Sequence, residues 1–364
     1  MNASSIRLVD ATPRLSIVIP AVTGAEALEE TLLSVLENRP ENCEVIVALA
    51  CEYDDPWNLR DEVTFVRAPA AASTIGCVNL GISSAAGEVI HVLSAGWKAT
   101  PGWTELAIER FADPAIAAVI PLAVASDDHD RVVATGMSYR RGGRRRVRVP
   151  AASRSSVSAV SLGIAALNRP KRSQVVGPTI EAGFWRAETL ATAGPGFAAC
   201  CGATMADADL AVAIDAAGGE TIVEPAALVI SGQKAKPAGR FSEGLHAERL
   251  FWRSVAGRSL LPLLVAHLFV VLRHAAVSLP LGTAPMLIGR LIAAMQFGSY
   301  GSRYRQLRSL QETHRDAVAV GKASPEQDSD GSSTDAPLVR SDAGEPGLPR
   351  PRHLDRRSAL RRSA

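Results

Sequence analysis

The stretch LSIVIP at residues 15–20, the helical pattern of AEALEETLLSVLEN behind it and the apolar run EVIVAL at 44–49 leave the chain little choice in how it starts. A short β-branched run closed by proline reads as a buried strand. Ala27, Leu28, Leu32, Leu33, Val35 and Leu36 then recur at helical spacing, with Glu26, Glu29 and Glu30 near the helix start, where the backbone dipole favours acids. Strand, helix and strand in about thirty-five residues make a βαβ unit, whose right-handed crossover builds a parallel sheet.

The alternation continues with a strand at Val63–Val66, a helix at Ser73–Ala86 stopped by Gly87, a strand at Glu88–Leu93, a helix at Trp103–Phe111 and a strand at Ala117–Ala123. It is irregular from Ser126 to Pro178. Thr179–Leu190 then gives a strand and a short helix, Asp207–Ala217 a helix, and Thr221–Val223 with Ala227–Ile230 strand character again. The expected architecture is an α/β domain over 15–232, doubly wound around a mostly parallel sheet, preceded by an extension at 1–14.

Thirty-nine basic against thirty-seven acidic residues leave a net charge of +2, so bulk charge calls for no polyanionic partner. The local exception is YRRGGRRRVR at 139–148, with six arginines in nine residues around a Gly-Gly pair. It reads as a β-hairpin or mobile loop with a basic tip. That tip is either simply solvated or an anion site for a diphosphate, a lipid phosphate or an anionic membrane. Nucleic acid is excluded as a partner, because no aromatic residues interleave to stack bases. Cys43, Cys51, Cys77, Cys200 and Cys201 form an odd set without C-x-x-C or metal-ligand spacing, which fits reduced thiols in the cytoplasm. MNASSIRLVDATPRLSIVIP has no long apolar run before a small-residue cleavage site, so no signal peptide is expected.

The most apolar stretch lies within 233–319. Its longest uncharged run, Ser259–Leu272, is fourteen residues, short of the roughly 20 that cross a bilayer as a helix. Pro262, Pro280, Pro285, Arg273 and Arg290 break it further, so the expectation is helices packed on the domain or lying in a membrane interface, at the inner face of the membrane. His267 and His274 fall seven apart on one face, a packing or interfacial spacing rather than a ligand pair. Residues 320–364 turn to Ser, Asp, Gly, Pro and Glu and then to arginine, the composition of a disordered tail.

The order of seven pieces resembles family 2 glycosyltransferases, which have the GT-A fold. LSIVIP and AEALEETLLSVLEN resemble the family's first strand and helix, CEVIVAL its second strand, and STIGCVNLGISSAAGEVIHVL a helix ending in A-x-G-E with the strand behind it. Asn79 and Gly81 stand where the family has Arg-Asn-x-Gly. PGWTELAIERFADPAIAAVIPL is similar to the next helix and strand, EAGFWRAETLATAGPGF to the acceptor-side R-x-x-L-x-x-x-G-G-F element, and MADADLAVAIDAAGGETIVEPAALV to the helix opened by Glu-Asp-x-Asp-Leu. LHAERLFWRS at 245–254 is similar to the segment that precedes membrane-associated helices in rhamnosyltransferase-like members.

The resemblance implies transfer of a sugar from a nucleotide-sugar donor to a cell-surface polysaccharide or lipid-linked acceptor, with peripheral membrane contact. It implies a donor pocket at Pro20, Ala21, Val22, Glu26, Asp54, Asn79, Ser94, Ala95 and Gly96, an acceptor side at Trp185 and Asp209, and Asp207 as the general base. The alternative is an amino-terminal cap for the helix from Leu210, which Asp207 or Asp209 would serve equally well. The family's Asp-x-Asp motif holds a divalent metal, Mg or Mn, and here falls on Ser94-Ala95-Gly96. Its acidic pair after the second strand falls on Leu49-Ala50, although Asp54 and Asp55 follow, either as donor ligands or as a solvated turn before Pro56. Without those carboxylates, the expectation is a metal-independent site in which the arginines of 140–148 stand in at a diphosphate. The alternatives are a catalytically inactive GT-A-like binding or scaffold subunit, or a basic adaptor at a membrane surface.

Overall fold

The computed structural model describes residues 14–22, 24–140, 142–168, 174–194, 196–232, 239–257, 259–279 and 281–323. The extension before Arg14 and the tail beyond Ala323 lie outside them. The first half contains strands β1 (Leu15–Ala21), β2 (Cys43–Leu49), β3 (Thr64–Arg67), β4 (Val89–Leu93), β5 (Lys98–Ala99), β6 (Ile116–Val124) and β7 (Val132–Ala134), with helices α1 (Ala25–Asn38), α2 (Thr74–Ser84) and α3 (Glu105–Arg110). Then come β8 (Met137–Arg140), β9 (Arg144–Val147), α4 (Val157–Leu162), α5 (Ile164–Leu167), β10 (Gln174–Gly177), β11 (Ala182–Arg186), α6 (Ala187–Ala193), α7 (Ala206–Ala216) and β12 (Glu220–Ile230). Helices α8 (Arg240–Arg253), α9 (Leu260–Val277), α10 (Thr283–Met295) and α11 (Gly301–Ala323) follow.

The main sheet runs β3-β2-β1-β4-β11-β6-β12-β5, with β7 on the side of β6. Pairs β1–β2, β1–β4, β2–β3 and β6–β12 are parallel, as the βαβ pattern requires. Strands β5 and β7 pair antiparallel at the margins, and β11 is the central departure: it is antiparallel to both β4 and β6 and so enters the middle of the sheet from the far end. The result is an α/β fold with a mixed, mostly parallel sheet. Alternation along the strands divides the core. Val18, Ile90, Val92 and Trp185 face one layer with α2, α6 and α7, while Ile17, Ile19, Val89, Leu93 and Phe184 face the other with α1 and α3.

His91, the one polar residue of β4, belongs to the second layer. It stacks on Phe184 at 3.9 Å and meets Trp103 edge-on at 4.5 Å, while Nδ1–H donates to the Gly183 carbonyl at 2.8 Å. Burial pushes its pKa down to about 3, so it is a neutral core side chain. Gly87 also differs from its expected role. Helix α2 has already ended at Ser84, and a Cβ on Gly87 would sit 2.7 Å from the Ser16 backbone nitrogen. Glycine is needed there because the chain passes hard against the start of β1.

The arginine-rich stretch forms the hairpin β8–β9, which with β10 makes a separate three-stranded sheet. The C-terminal helices are tied back to it. Tyr139 Oη pairs with Ser254 Oγ at 2.9 Å, and His267 of α9 binds the Gly142 carbonyl at 3.0 Å and Glu248 of α8 at 3.0 Å. Arg290 of α10 completes this network at 2.7 Å from Glu248 and 3.0 Å from His274. Thus the histidine pair faces inward, and residues through Gly321 form one compact unit.

Candidate active site

The carboxyl ends of β1 and β2 lie side by side, with Ala50 N–H donating to the Ala21 carbonyl at 2.9 Å. Pro20 and Ala21 are buried, Val22 is half-buried, and Glu26 and Asp54 are exposed. Asp55 forms the turn itself: with φ of +48° it accepts Leu59 N–H at 2.9 Å. Asn79 is committed inside the fold, bridging Phe197 with two hydrogen bonds of 2.8 Å, one to its carbonyl and one from its N–H.

The turn after β4 is built from backbone bonds and one hydroxyl. Ser94 N–H donates to the Glu181 carbonyl at 2.9 Å, and Gly96 N–H lies 2.8 Å from both the Ala27 carbonyl and Thr31 Oγ1. Thr31 Oγ1 donates in turn to the Trp97 carbonyl at 2.7 Å. Gly96 has φ of +89°, which favours glycine and allows this tight return onto α1. Trp97 is half-buried against the α1 layer. Ser94, Ala95 and Gly96 present one hydroxyl and no carboxylate, a donor set unsuited to a hard dication that takes carboxylate oxygens. Among the described residues no group of three or more His, Cys, Asp or Glu is arranged to hold a metal ion.

Charge is concentrated on the other side of Glu181. Asp207, on the first turn of α7, is gripped by Arg145 of β9, with Nε to Oδ1 at 2.8 Å and Nη2 to Oδ2 at 2.5 Å. The Asp207 side chain has no exposed surface, and that of Arg145 is 13% exposed. Burial opposes the charge on Arg145, but attraction to Asp207 outweighs it and raises the guanidinium pKa. The Glu181 carboxyl is enclosed beside them and bonded by the Thr179 side chain. Its pKa is raised, first by burial and then by repulsion from Asp207, against a smaller pull from Arg145.

Asp209 lies two residues on, about 200° around the helix, and faces the C-terminal helices. Arg253 of α8 holds it at 2.7 and 3.0 Å, and Arg303 of α11 holds Oδ2 at 2.7 Å. Neither aspartate caps α7, whose cap position is Met205 with no side-chain bond. Trp185, expected on the acceptor side, is buried in the core edge-on to Phe197 at 5.3 Å. The structure therefore bonds Ser94 to the Glu181 backbone, places the Glu181 carboxyl within the electrostatic reach of Asp207 and Arg145, and leaves Asn79, Trp185 and Asp209 bonded or packed inside the fold.

Two clefts flank the hairpin. One of about 180 Å³ is lined by Arg144, Arg145, Glu243, Arg273, His274 and Arg290. A second of about 770 Å³ lies between Arg140, Arg144 and the apolar side chains Pro262, Leu263, Phe269 and Val270 of α9. Glu181 is the residue that sequence reasoning missed. Its signal was a single acid at the mouth of an otherwise apolar strand. The grip of Arg145 on Asp207 was equally hidden, since the two are 62 residues apart.

Residues 16–169 match the family model described as glycosyl transferase family 2. Among solved structures, the chain is similar to the mannosyltransferase PcManGT from Pyrobaculum calidifontis in complex with GDP-Man and Mn2+. The identity is 16%, with 86% of this chain and 87% of that one covered and a TM-score of 0.47. It is also similar to GalNAc-T7 with UDP, GalNAc and Mn2+, at 14% identity over 68% of this chain and 48% of that one, again with a TM-score of 0.47. No curated protein sequence matches the chain.

Proposed function

We propose that the protein, whose residues 16–169 match the family model for glycosyl transferase family 2, transfers a sugar from a nucleotide-sugar donor to a cell-surface polysaccharide or glycolipid acceptor without a divalent metal. One observation carries this reading: Glu181 joins both halves of the site. Its carbonyl receives Ser94 N–H, and its carboxyl lies beside the Arg145–Asp207 pair.

In the proposed step the acceptor hydroxyl oxygen bonds to the anomeric carbon of the donor sugar as that carbon's bond to the phosphate oxygen breaks. The hydroxyl proton passes to Glu181, and the electron pair of the broken bond leaves on the nucleoside diphosphate. Glu181 suits the base role better than Asp207, because both Asp207 oxygens are held by Arg145, while burial raises the affinity of the Glu181 carboxyl for a proton. Asp207 then positions Arg145 and raises Glu181. The Arg145 pair uses Nε and Nη2, and Nη1 takes no part in it, which leaves that donor for the leaving phosphate. No step runs through a metal, since the turn at 94–96 has no carboxylate to hold one.

Calorimetric titration with a panel of nucleotide diphosphate sugars, with and without manganese, tests the reading. One donor should bind with the same affinity in both conditions; binding of none sinks the transferase, and binding only with manganese sinks the metal-free site. The enclosure of Asp207 favours a second reading, a subunit that holds the nucleotide sugar without turning it over. It predicts donor binding with no sugar transfer by the wild-type chain and no change on Glu181→Gln.

A further inference from the structure

Helix α9 exposes almost all of its apolar length. Over its eighteen residues the mean hydropathy is 2.0, and only 6% of them are buried. Leu261, Val265, Leu268 and Leu272 form one outward stripe at helical spacing, and Leu291 and Met295 of α10 are exposed in the same way. Isolated exposed apolar residues are ordinary, but a contiguous face of this size marks a contact surface.

The inward side of α9 is already occupied. His267 is buried between Glu248 and the Gly142 carbonyl and stacks on Phe251 at 3.6 Å, and His274 bonds Glu243 at 3.1 Å and Arg290 at 3.0 Å. These bonds lay the helix along the protein. Crossing a bilayer would break them and carry Arg273 into hydrocarbon.

Charge selects the occupant. Of the arginines in residues 249–311, Arg253, Arg290 and Arg303 are spent on the buried carboxylates of Asp209 and Glu248, while Arg273 of α9 is exposed. Arg140 and Arg144 line the cleft against Pro262, Leu263, Phe269 and Val270, so guanidinium groups border the apolar face directly. Apolar side chains fringed by Arg140, Arg144 and Arg273, with the nearby Glu243 already bonded to Arg240 and His274, fit a surface that is oily below and anionic above. We propose that α9 and α10 dock on an anionic lipid bilayer, with α9 lying in the interface and the hairpin arginines against lipid phosphates. This does not depend on the sugar-transfer reading.

Vesicle flotation of the full chain tests it, using phosphatidylcholine alone and phosphatidylcholine with phosphatidylglycerol. The protein should float with the anionic vesicles only and be released by high salt. Leu268→Asp with Phe269→Asp should weaken partitioning by roughly tenfold or more, whereas Leu162→Asp, an exposed apolar position on α4, should leave it unchanged. Thermal melts of the variants check that the fold is intact, and the lipid and salt dependence of the wild-type chain stands as a test without any variant. Failure to float with either vesicle, salt-insensitive binding to neutral vesicles, or retention after alkaline carbonate washing would each overturn the proposal. Sedimentation as a dimer that loses its self-association on Leu268→Asp and binds no lipid would assign the face to a second copy instead.

Discussion

The turn after β4 and the first turn of α7 meet at Glu181, yet they are built from opposite materials. Ser94–Trp97 contains no charged side chain and is held by backbone N–H groups, two carbonyls and the Thr31 hydroxyl. The α7 side holds the Arg145–Asp207 pair out of water, with the Glu181 carboxyl within its electrostatic reach. A frame that can be closed by backbone bonds alone tolerates the loss of its acids, because no buried charge is left without a partner. The ion pair on the charged side has no such tolerance, since removing Arg145 or Asp207 strands the other.

The largest expected effect separates the two sides by function. Glu181→Gln should lower transfer by about 10²–10⁴-fold, the usual contribution of a general base, while Ser94→Ala changes it less than tenfold. Comparable losses in a donor-transfer assay would erase the contrast. Stability should move the other way. Because the folded pKa of Glu181 is raised, its stabilising contribution is complete below the ordinary carboxyl pKa and is lost as pH rises through the raised value. Glu181→Gln should therefore melt higher than the wild-type chain at neutral and alkaline pH, and the gap should close toward acid.

Arg145→Ala comes next. It leaves the Asp207 carboxylate enclosed without its partner and should cost about 3–5 kcal/mol in urea unfolding at neutral pH. Arg145→Ala combined with Asp207→Asn should recover part of that loss, and a double variant no more stable than the single one would show that the pair is not the source. The smallest effect belongs to the uncharged side. Thr31→Val removes the hydroxyl that bonds the Trp97 carbonyl and receives Gly96 N–H, and should cost about 1–2 kcal/mol. A larger loss would mean that the turn is less self-sufficient than its backbone bonds suggest.

What could be read from the residues follows the same division. The strands β1, β2, β4 and β6 and the helices between them were legible because burial imposes a period that neighbouring residues share. The reversal of β11 was not, because AGFWR is equally apolar whichever way it enters the sheet. The turn at 94–96 was legible as uncharged, but its attachment through Thr31 was not, the partners being 65 and 66 residues apart. Asp207 and Asp209 were visible at a helix start, where capping is the local explanation. Their arginines arrive from 44 to 94 residues away, and no local pattern announces them.

Asp209 sets a limit on how this protein could be taken apart. Its carboxylate sits inside the α/β layer, yet both guanidinium groups that neutralise it, Arg253 and Arg303, come from helices beyond the last strand. A chain cut after β12 would keep every strand of the sheet and expose an acid in the middle of its own interior. The α/β part is therefore not a portable module: exchanging it between proteins requires carrying α8 and α11 along, or replacing Asp209 with a neutral residue in the same step.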